Sequence, residues 1–218
     1  IDGLDRKQVA YVNQRYINEE KLLNANVNII NQYNKFILPK FWGTGNNASA
    51  DGTKWDVYEQ NLLSEYHIRY GGWGGIGYYH VSDTYIALFS NFISCGVWEA
   101  VHILDGLLEN KSDIKPDTVH GDTQAQSTPV FALSYLLGIK LMPRIRNLKD
   151  LKWYLPSDDF KVKHIGELFT DVINWKLIET HLPDMLKVAL AVSKGKMRSS
   201  IILRKLGTSS KKNKLYFA

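Results

Sequence analysis

The stretch Ala48-Ser49-Ala50-Asp51-Gly52-Thr53-Lys54-Trp55 places an acidic residue in the apparent first strand of a sheet. A second stretch, His120-Gly121-Asp122-Thr123-Gln124, places another where a short strand ends, and the two aspartates are 71 residues apart. Two carboxylates on adjacent strands are the minimum platform for two Mg²⁺ ions, which lie ~3.5–4 Å apart and clamp the attacking and leaving oxygens of a phosphodiester. The sequence therefore predicts a metal-dependent site at Asp51 and Asp122.

The hydrophobic pattern around these stretches predicts the order of the surrounding elements. Strands are predicted over 48–57, 76–82, 84–94, 116–122 and 139–146, with helices over 97–110 and 128–137. Thr128 is the predicted cap of the second helix, Pro129 its first residue, and Gly138 lies beyond its end. Three strands, a helix, a strand, a helix and a strand is the order of the ribonuclease H-like fold. We therefore expect an α/β protein with a mixed five-stranded sheet flanked by helices.

Helical segments are expected on both sides of this core. Residues 6–16 and 19–36 have helical periodicity, Asn18 is the predicted N-cap of the second segment, and Pro39 is expected to end the helical run. After residue 148 the pattern becomes mostly helical. We divide the chain into a helical lead-in at 1–47, a catalytic core at 48–148, and a basic, mostly helical insertion at 149–218 that stops before the catalytic domain ends.

The net charge of +5 is unevenly distributed along the chain. Residues 51–150 carry 8 basic and 12 acidic side chains, which suits a site that attracts divalent cations. The segment from 194 to 214 has no acidic residue and eight basic ones: Lys194, Lys196, Arg198, Arg204, Lys205, Lys211, Lys212 and Lys214. Such a run is typical of a surface that contacts a polyanion. Its apolar spacers favour an ordered, one-sided element over a solvated stretch.

Five blocks of sequence resemble those of one enzyme family in the same order. They are Tyr11-Val12-Asn13-Gln14-Arg15-Tyr16, Ser49-Ala50-Asp51-Gly52, His120-Gly121-Asp122-Thr123, Pro143-Arg144-Ile145-Arg146 and Leu203-Arg204-Lys205-Leu206-Gly207. Together they cover nearly the whole chain. On these blocks the chain resembles the DDE transposases of the Tn-three family, the class II replicative transposons of bacteria.

This resemblance implies metal-dependent cleavage at the ends of a transposon, followed by transfer of the freed 3′-hydroxyl to target DNA. Asp51 and Asp122 match the first two of the three acidic metal ligands of the family, with Mg²⁺ as the expected metal and Mn²⁺ as a substitute. The implied partners are the terminal inverted repeats, target DNA and a second copy of the full-length protein. The implied location is the bacterial cytoplasm, at the nucleoid.

The third acidic residue of the family, a Glu on a helix, has no matching context after Asp122. Glu99-Ala100 has the first two letters of that context but precedes the fourth predicted strand. Glu179 has a suitable position in surroundings that do not match. We expect the third ligand beyond Ala218, which would leave this chain inactive by itself.

Three further residues are candidates for the same region. His120 lies two positions before Asp122, so a strand places both on one face; it either points toward the metal site or has a packing role. Arg144 and Arg146 share a face by the same rule and would grip a phosphate, unless they form salt bridges with Asp117 or Asp150. The resemblance favours a DNA contact for at least one. In the basic run, we expect DNA contacts from Lys196, Arg198, Arg204 and Lys205.

Several other chemistries are disfavoured. Gly72–Gly77 matches the G-x-G-x-x-G pattern of dinucleotide sites, but strand-forming residues follow it and Trp73 would obstruct the phosphate, so we expect a flexible hairpin there. The histidines lack zinc-site spacing, and the single cysteine, Cys95, rules out a multi-cysteine zinc site. No apolar run approaches the ~18–20 residues that cross a bilayer.

Two other classes of function remain open at this stage. A ribonuclease H-like nuclease or resolvase would use the same carboxylates to cut DNA without joining a 3′-end to a new site. A binding module would contact DNA or a partner subunit without turnover. The basic run at 194–214 is compatible with both.

Overall fold

The computed structural model describes residues 3–68 and 71–207, apart from the side chain of Asp150. Its helices are α1 (Arg6–Tyr16), α2 (Glu19–Tyr33), α3 (Pro39–Trp42), α4 (Asp105–Glu109), α5 (Thr128–Leu136), α6 (Trp175–Ser193) and α7 (Ser199–Leu206). Its strands are β1 (Asn47–Asp56), β2 (Glu65–His67), β3 (Gly72–Ser82), β4 (Ala87–Ser94), β5 (Thr118–Gly121), β6 (Lys140–Pro143), β7 (Trp153–Leu155) and β8 (Phe169–Val172). A 3₁₀ turn at Glu99–His102 precedes α4.

The main sheet is mixed, with the order β2-β3-β1-β5-β6, and β4 pairs with β3 beside β2. β3 is antiparallel to β1 and β4, whereas β1, β5 and β6 are parallel. The expected α/β class is confirmed, and the strand of Asp51 lies beside the strand that leads to Asp122. In the part of the chain that the structure describes, the main sheet has six strands, one more than the five expected. The additional strand, β2, is only three residues long, which is too short for alternation to reveal it.

The prediction of a flexible hairpin at Gly72–Gly77 is wrong, because these residues belong to β3. Their glycines allow large rings to rest on the strand. The ring of Phe92 occupies the place that a Cβ at Gly75 would take, and a Cβ at Gly77 would lie 2.6 Å from Nε1 of Trp55. The lack of side chains here therefore serves close packing across the sheet and not a turn.

A layer of helices covers one face of this sheet. The core between them includes Ala50, Ile76, Val119, Leu133 and Leu203. The single helix expected over 97–110 is divided into the 3₁₀ turn and α4. At the break, the carbonyl of Ile103 accepts a hydrogen bond from Nε2 of the buried His80 (2.8 Å). Cys95 is buried.

The segments before and after the core differ in part from expectation. The side chain of Asn18 caps α2, as predicted, by accepting from the backbone N–H of Lys21. Pro39 begins α3 instead of ending a helix, because the first helical position needs no N–H donor. β7 and β8 form a parallel pair that was not predicted. The proposed division at residue 148 stays a prediction, although Leu203 of α7 lies in the main core.

Among the described residues, no helix has the length and apolarity required to cross a membrane.

Candidate active site

Asp51 lies within β1, and Asp122 directly follows β5, the neighbouring parallel strand. Ala50 of β1 is paired with Gly121 of β5, so each aspartate is the next residue after a paired position. Along β1, Ala48 and Ala50 are buried and Asp51 is exposed. Asp51 therefore faces away from the helical layer, on what we call the open face of the sheet. Asp122 is exposed as well.

Local hydrogen bonds orient both carboxylates. Oδ1 of Asp51 accepts from the backbone N–H of Gly52 at 2.8 Å. Oδ1 of Asp122 accepts from the backbone N–H of Gln124 at 3.0 Å, which caps the 3₁₀ turn after β5. A carboxylate has about four acceptor sites on its two oxygens. One hydrogen bond from a backbone N–H thus orients each side chain and leaves its other acceptor sites for a ligand.

A third carboxylate, that of Glu99, approaches the same region from the helical layer. Its side chain occupies the place that a Cβ at Gly52 would take, directly after Asp51 in the chain. Tyr78, which is paired with Gly52, is buried. Burial, followed by the negative charges of Asp122, Glu99 and Asp51, raises the pKa of the Tyr78 hydroxyl strongly. The negative charges of all three carboxylates therefore contribute to raising the pKa of one buried hydroxyl.

Glu99 was not among the predicted metal ligands because it precedes the strand that leads to Asp122. The structure confirms that Glu99 precedes β5. The usable signal was Gly52, since a glycine inside a strand often marks a close approach by another group. Glu179 lies exposed in α6.

The donor chemistry of Asp51 and Asp122 fits a hard divalent cation. Mg²⁺ in enzymes is usually held by one or two carboxylates and retains waters or substrate oxygens in its other positions. Two exposed carboxylates on adjacent strands supply that set. Within residues 3–68 and 71–207, no group of three or more His, Cys, Asp or Glu side chains is arranged to hold a metal ion.

His120 lies on the open face. In the parallel register it is opposite Ser49 on β1, two residues before Asp51, and it is exposed. This is the face that the i, i+2 rule predicts for it. A direct role at the metal site stays a prediction.

Arg144 and Arg146 are not on a strand, in contrast to expectation, because β6 ends at Pro143. The backbone N–H of Arg144 still donates to the carbonyl of Gly121 at 2.9 Å, which holds Arg144 next to Asp122. The backbone N–H of Arg146 donates instead to Oε1 of Gln126 at 2.8 Å, so the chain turns away from β5. Both side chains are exposed. Asp117 pairs with Lys140 at 3.4 Å.

The described part of the basic run spans the end of α6, the turn that follows it and α7, in the helical layer. Ser199 donates to the carboxylate of Asp105, and Leu203 is fully buried, so this layer holds α7 firmly. Arg198 pairs with Glu109 at 3.6 Å, and a guanidinium nitrogen of Arg204 lies 3.4 Å from Nε2 of His102. Lys196 and Lys205 are exposed. Lys211, Lys212 and Lys214 fall outside the described residues.

Two exposed carboxylates, one within β1 and one directly after the neighbouring parallel strand β5, define a candidate site for metal-dependent phosphoryl transfer. Comparison with known proteins identifies the family. The profile of the Tn3 transposase DDE domain matches residues 1–218. The chain belongs to this family, so the resemblance found in the five sequence blocks is confirmed.

The similar proteins are transposases by name. The transposase for transposon Tn1546 of Enterococcus faecium is 31% identical over 214 residues, which are 98% of this chain and 22% of that protein. The transposase for transposon Tn501 of Pseudomonas aeruginosa is 30% identical over 99% of this chain and 22% of that protein. The transposase for transposon gamma-delta of Escherichia coli is 26% identical over 97% of this chain and 21% of that protein. The chain thus spans about a fifth of the length of these relatives.

Proposed function

We propose that this chain forms the first part of the catalytic domain of a replicative DNA transposase. The full-length protein cleaves DNA at the ends of a transposon and joins the freed 3′-hydroxyl to target DNA. The observation that carries the proposal is the register between β1 and β5, because Asp51 on β1 and Asp122 directly after β5 each follow a paired residue and are exposed. The names of the relatives support the reaction class. The proposal includes a ribonuclease H-like fold, which the order of the mixed sheet supports.

In this proposal Asp51 and Asp122 hold divalent metal, with Mg²⁺ as the natural ion and Mn²⁺ as a substitute. When bound, the metal stabilises the charge that develops on the attacking and leaving oxygens of the phosphodiester. The backbone N–H groups of Gly52 and Gln124 hold the two carboxylates in place. Arg144, next to Asp122, neutralises a phosphate. The third acidic ligand lies beyond Ala218, and this chain alone is therefore inactive.

The proposed partner is DNA, as transposon ends and as target, in the bacterial cytoplasm at the nucleoid, with a homodimer as the full-length form. Arg146 and the exposed basic residues of the run provide phosphate contacts, which position a protein on DNA without reading its sequence. The contacts of Arg198 and Arg204 with Glu109 and His102 make these two the weaker candidates.

The test uses the full-length protein and a duplex that carries one transposon end. Wild type with Mg²⁺ is expected to cleave the end and to join a precut 3′-end to a second DNA. Asp122→Asn is expected to lose both reactions while still binding the duplex. The matched control is Asp117→Asn, an exposed aspartate one residue before β5, which should keep both reactions.

The outcome separates this proposal from its alternatives. Cleavage without joining of the precut end would assign a nuclease. Binding by wild type with neither reaction would assign a binding module. Equal activity of Asp122→Asn and wild type would overturn the site.

A further inference from the structure

A cavity of about 360 Å³ opens on the same face of the sheet as Asp51. It lies over the end of β1 and the middle of β3 and β4. Its lining includes the aromatic residues Trp55, Tyr79 and Phe92, together with Gly77 and Ser90. Its volume falls within the ~300–1,000 Å³ that is usual for small-molecule sites.

The register places this cavity directly beside the candidate catalytic carboxylate. Tyr79 is the residue opposite Asp51 across the β1–β3 pair. Trp55 is four residues beyond Asp51 on β1, which corresponds to ~13 Å along a strand. Asp51, Trp55 and Tyr79 share the open face, since positions two apart on a strand, and residues directly opposite, point the same way.

Gly77 forms part of the floor of the cavity, and Gly75 lies beneath Phe92 at its edge. A Cβ at Gly77 would lie 2.6 Å from Nε1 of Trp55 and 3.0 Å from a ring carbon of Tyr79, and Phe92 covers Gly75. The two glycines thus let the aromatic rings settle against the backbone. Any other residue at position 77 would push Trp55 and Tyr79 outward.

The lining suits a flat, uncharged ring that has hydrogen-bonding edges. Aromatic side chains stack on the faces of nucleic acid bases, whatever the sequence. Ser90, opposite Tyr79 across the β3–β4 pair, adds a hydroxyl group that can bond to the edge of a base. Asp56 follows Trp55 on β1 and so points to the other face, where it pairs with Lys54 at 2.6 Å.

We propose that this cavity binds one unstacked base of the DNA close to the phosphodiester that is cut. The inference rests on the proposed function, because the base is supplied by the DNA held at Asp51 and Asp122. Removing the base from its stack costs energy, which stacking against the rings of the cavity offsets. Occupancy of the cavity fixes the position of the neighbouring phosphate relative to Asp51.

The test is a double-mutant cycle on binding by the full-length protein. One arm removes the indole (Trp55→Ala), and the other removes one base at a time by placing an abasic site at each position within a helical turn of the cut phosphate. On intact DNA, Trp55→Ala is expected to bind about 10- to 100-fold more weakly. On the DNA that lacks the pocketed base, wild type and Trp55→Ala should bind equally.

Two variants control for folding. Trp55→Phe keeps a stacking ring and should restore most of the binding. Trp153→Ala removes a comparably exposed tryptophan from the separate β7–β8 pair and should not depend on any abasic position. If Trp55→Ala lowers the thermal midpoint, Tyr79→Leu serves for the same cycle.

The base site would be overturned if Trp55→Ala weakened DNA binding equally at every abasic position, or if it did not weaken binding to intact DNA. Asp51→Asn distinguishes failure of the base site from failure of the proposed function. This substitution should abolish cleavage and leave the double-mutant cycle on DNA binding unchanged. An Asp51→Asn protein that still cuts DNA would refute the proposed function, whereas an absent cycle with Asp51-dependent cleavage refutes only the cavity.

Discussion

Aspartates lie in opposite settings on the two sides of the main sheet. On the open face, Asp51 and Asp122 are exposed, and each accepts one local backbone N–H. In the helical layer, Asp105 is buried and contacts His102, Ser199 and Ser200. A buried carboxylate needs its lone pairs to offset the loss of water, whereas an exposed one keeps them for a ligand. The same side chain therefore serves the proposed catalysis on one side of the sheet and folding on the other.

The pKa of Asp105 reflects this competition. Burial by itself raises the pKa of its carboxyl group, but the close contact with His102 and the hydrogen bonds from Ser199 and Ser200 outweigh burial and hold the pKa below its usual value. Asp105 is consequently ionised at neutral pH. It ties α7, and with it the basic run, to α4.

The largest expected effect is on the open face. Asp51→Ala in the full-length protein should reduce cleavage by ~10³-fold or more, since a metal ion contributes several kcal/mol of charge stabilisation. The free energy of unfolding should change by no more than ~0.5 kcal/mol, the range for exposed sites. Single-turnover cleavage and urea titration measure the two quantities. A stability loss as large as that of a core substitution would make Asp51 a structural residue.

The converse is expected in the helical layer. Asp105→Ala should lower the free energy of unfolding of this chain by ~3 kcal/mol, because it leaves Ser199 and His102 buried without their shared acceptor. Urea titration measures this, with Asp184→Ala, an exposed aspartate paired with Lys187, as the control. Equal unfolding midpoints for the two variants would contradict the prediction.

A pH effect of similar or slightly smaller size is expected from His80. Burial lowers its pKa to about 4, against ~6.5 in an unfolded chain. Stability is therefore fully present above pH ~6.5 and falls with acidification, because the unfolded state binds the proton first. The accumulated loss near pH 4 is ~3 kcal/mol.

Asp105 adds a separate loss at lower pH, as its depressed pKa is approached. The slope due to His80 should disappear in His80→Gln and persist in His120→Gln, which alters an exposed ring on the open face. Free energies of unfolding measured between pH 4 and 7 provide the check. An unchanged slope in His80→Gln would assign the acid sensitivity to other groups.

The smallest effect concerns DNA binding by the basic run. Replacing Lys194 and Lys196 by Gln should flatten the slope of log K against log salt by up to ~1.8, at about 0.9 per lost phosphate contact. Replacing Arg198 and Arg204 should flatten it less, since these two contact Glu109 and His102. Titrations of a duplex at several salt concentrations compare the two variants. The reverse order would mean that both arginines leave their intramolecular partners to bind DNA.

Sequence patterns predicted much of the fold where the signals are long and local. α1, the cap at Asn18 and the strand around Asp51 follow from periodicity and capping. β2 was missed because three residues show no period, and β3 was predicted to start too late because glycines usually indicate turns. After β6 ends at Pro143, the backbone N–H of Arg146 donates a hydrogen bond to Gln126. Because Gln126 is distant in sequence, no local pattern predicts this contact.

The sequence by itself determined the family, the class of fold and the two aspartates, because these depend on local pattern and on ordered blocks along the chain. Tertiary structure alone decided which groups surround them. Glu99 reaches Gly52, and Tyr79 faces Asp51, through the strand register and through the packing of the helical layer. Contacts between residues far apart in the chain arise from that packing, and no local pattern records them.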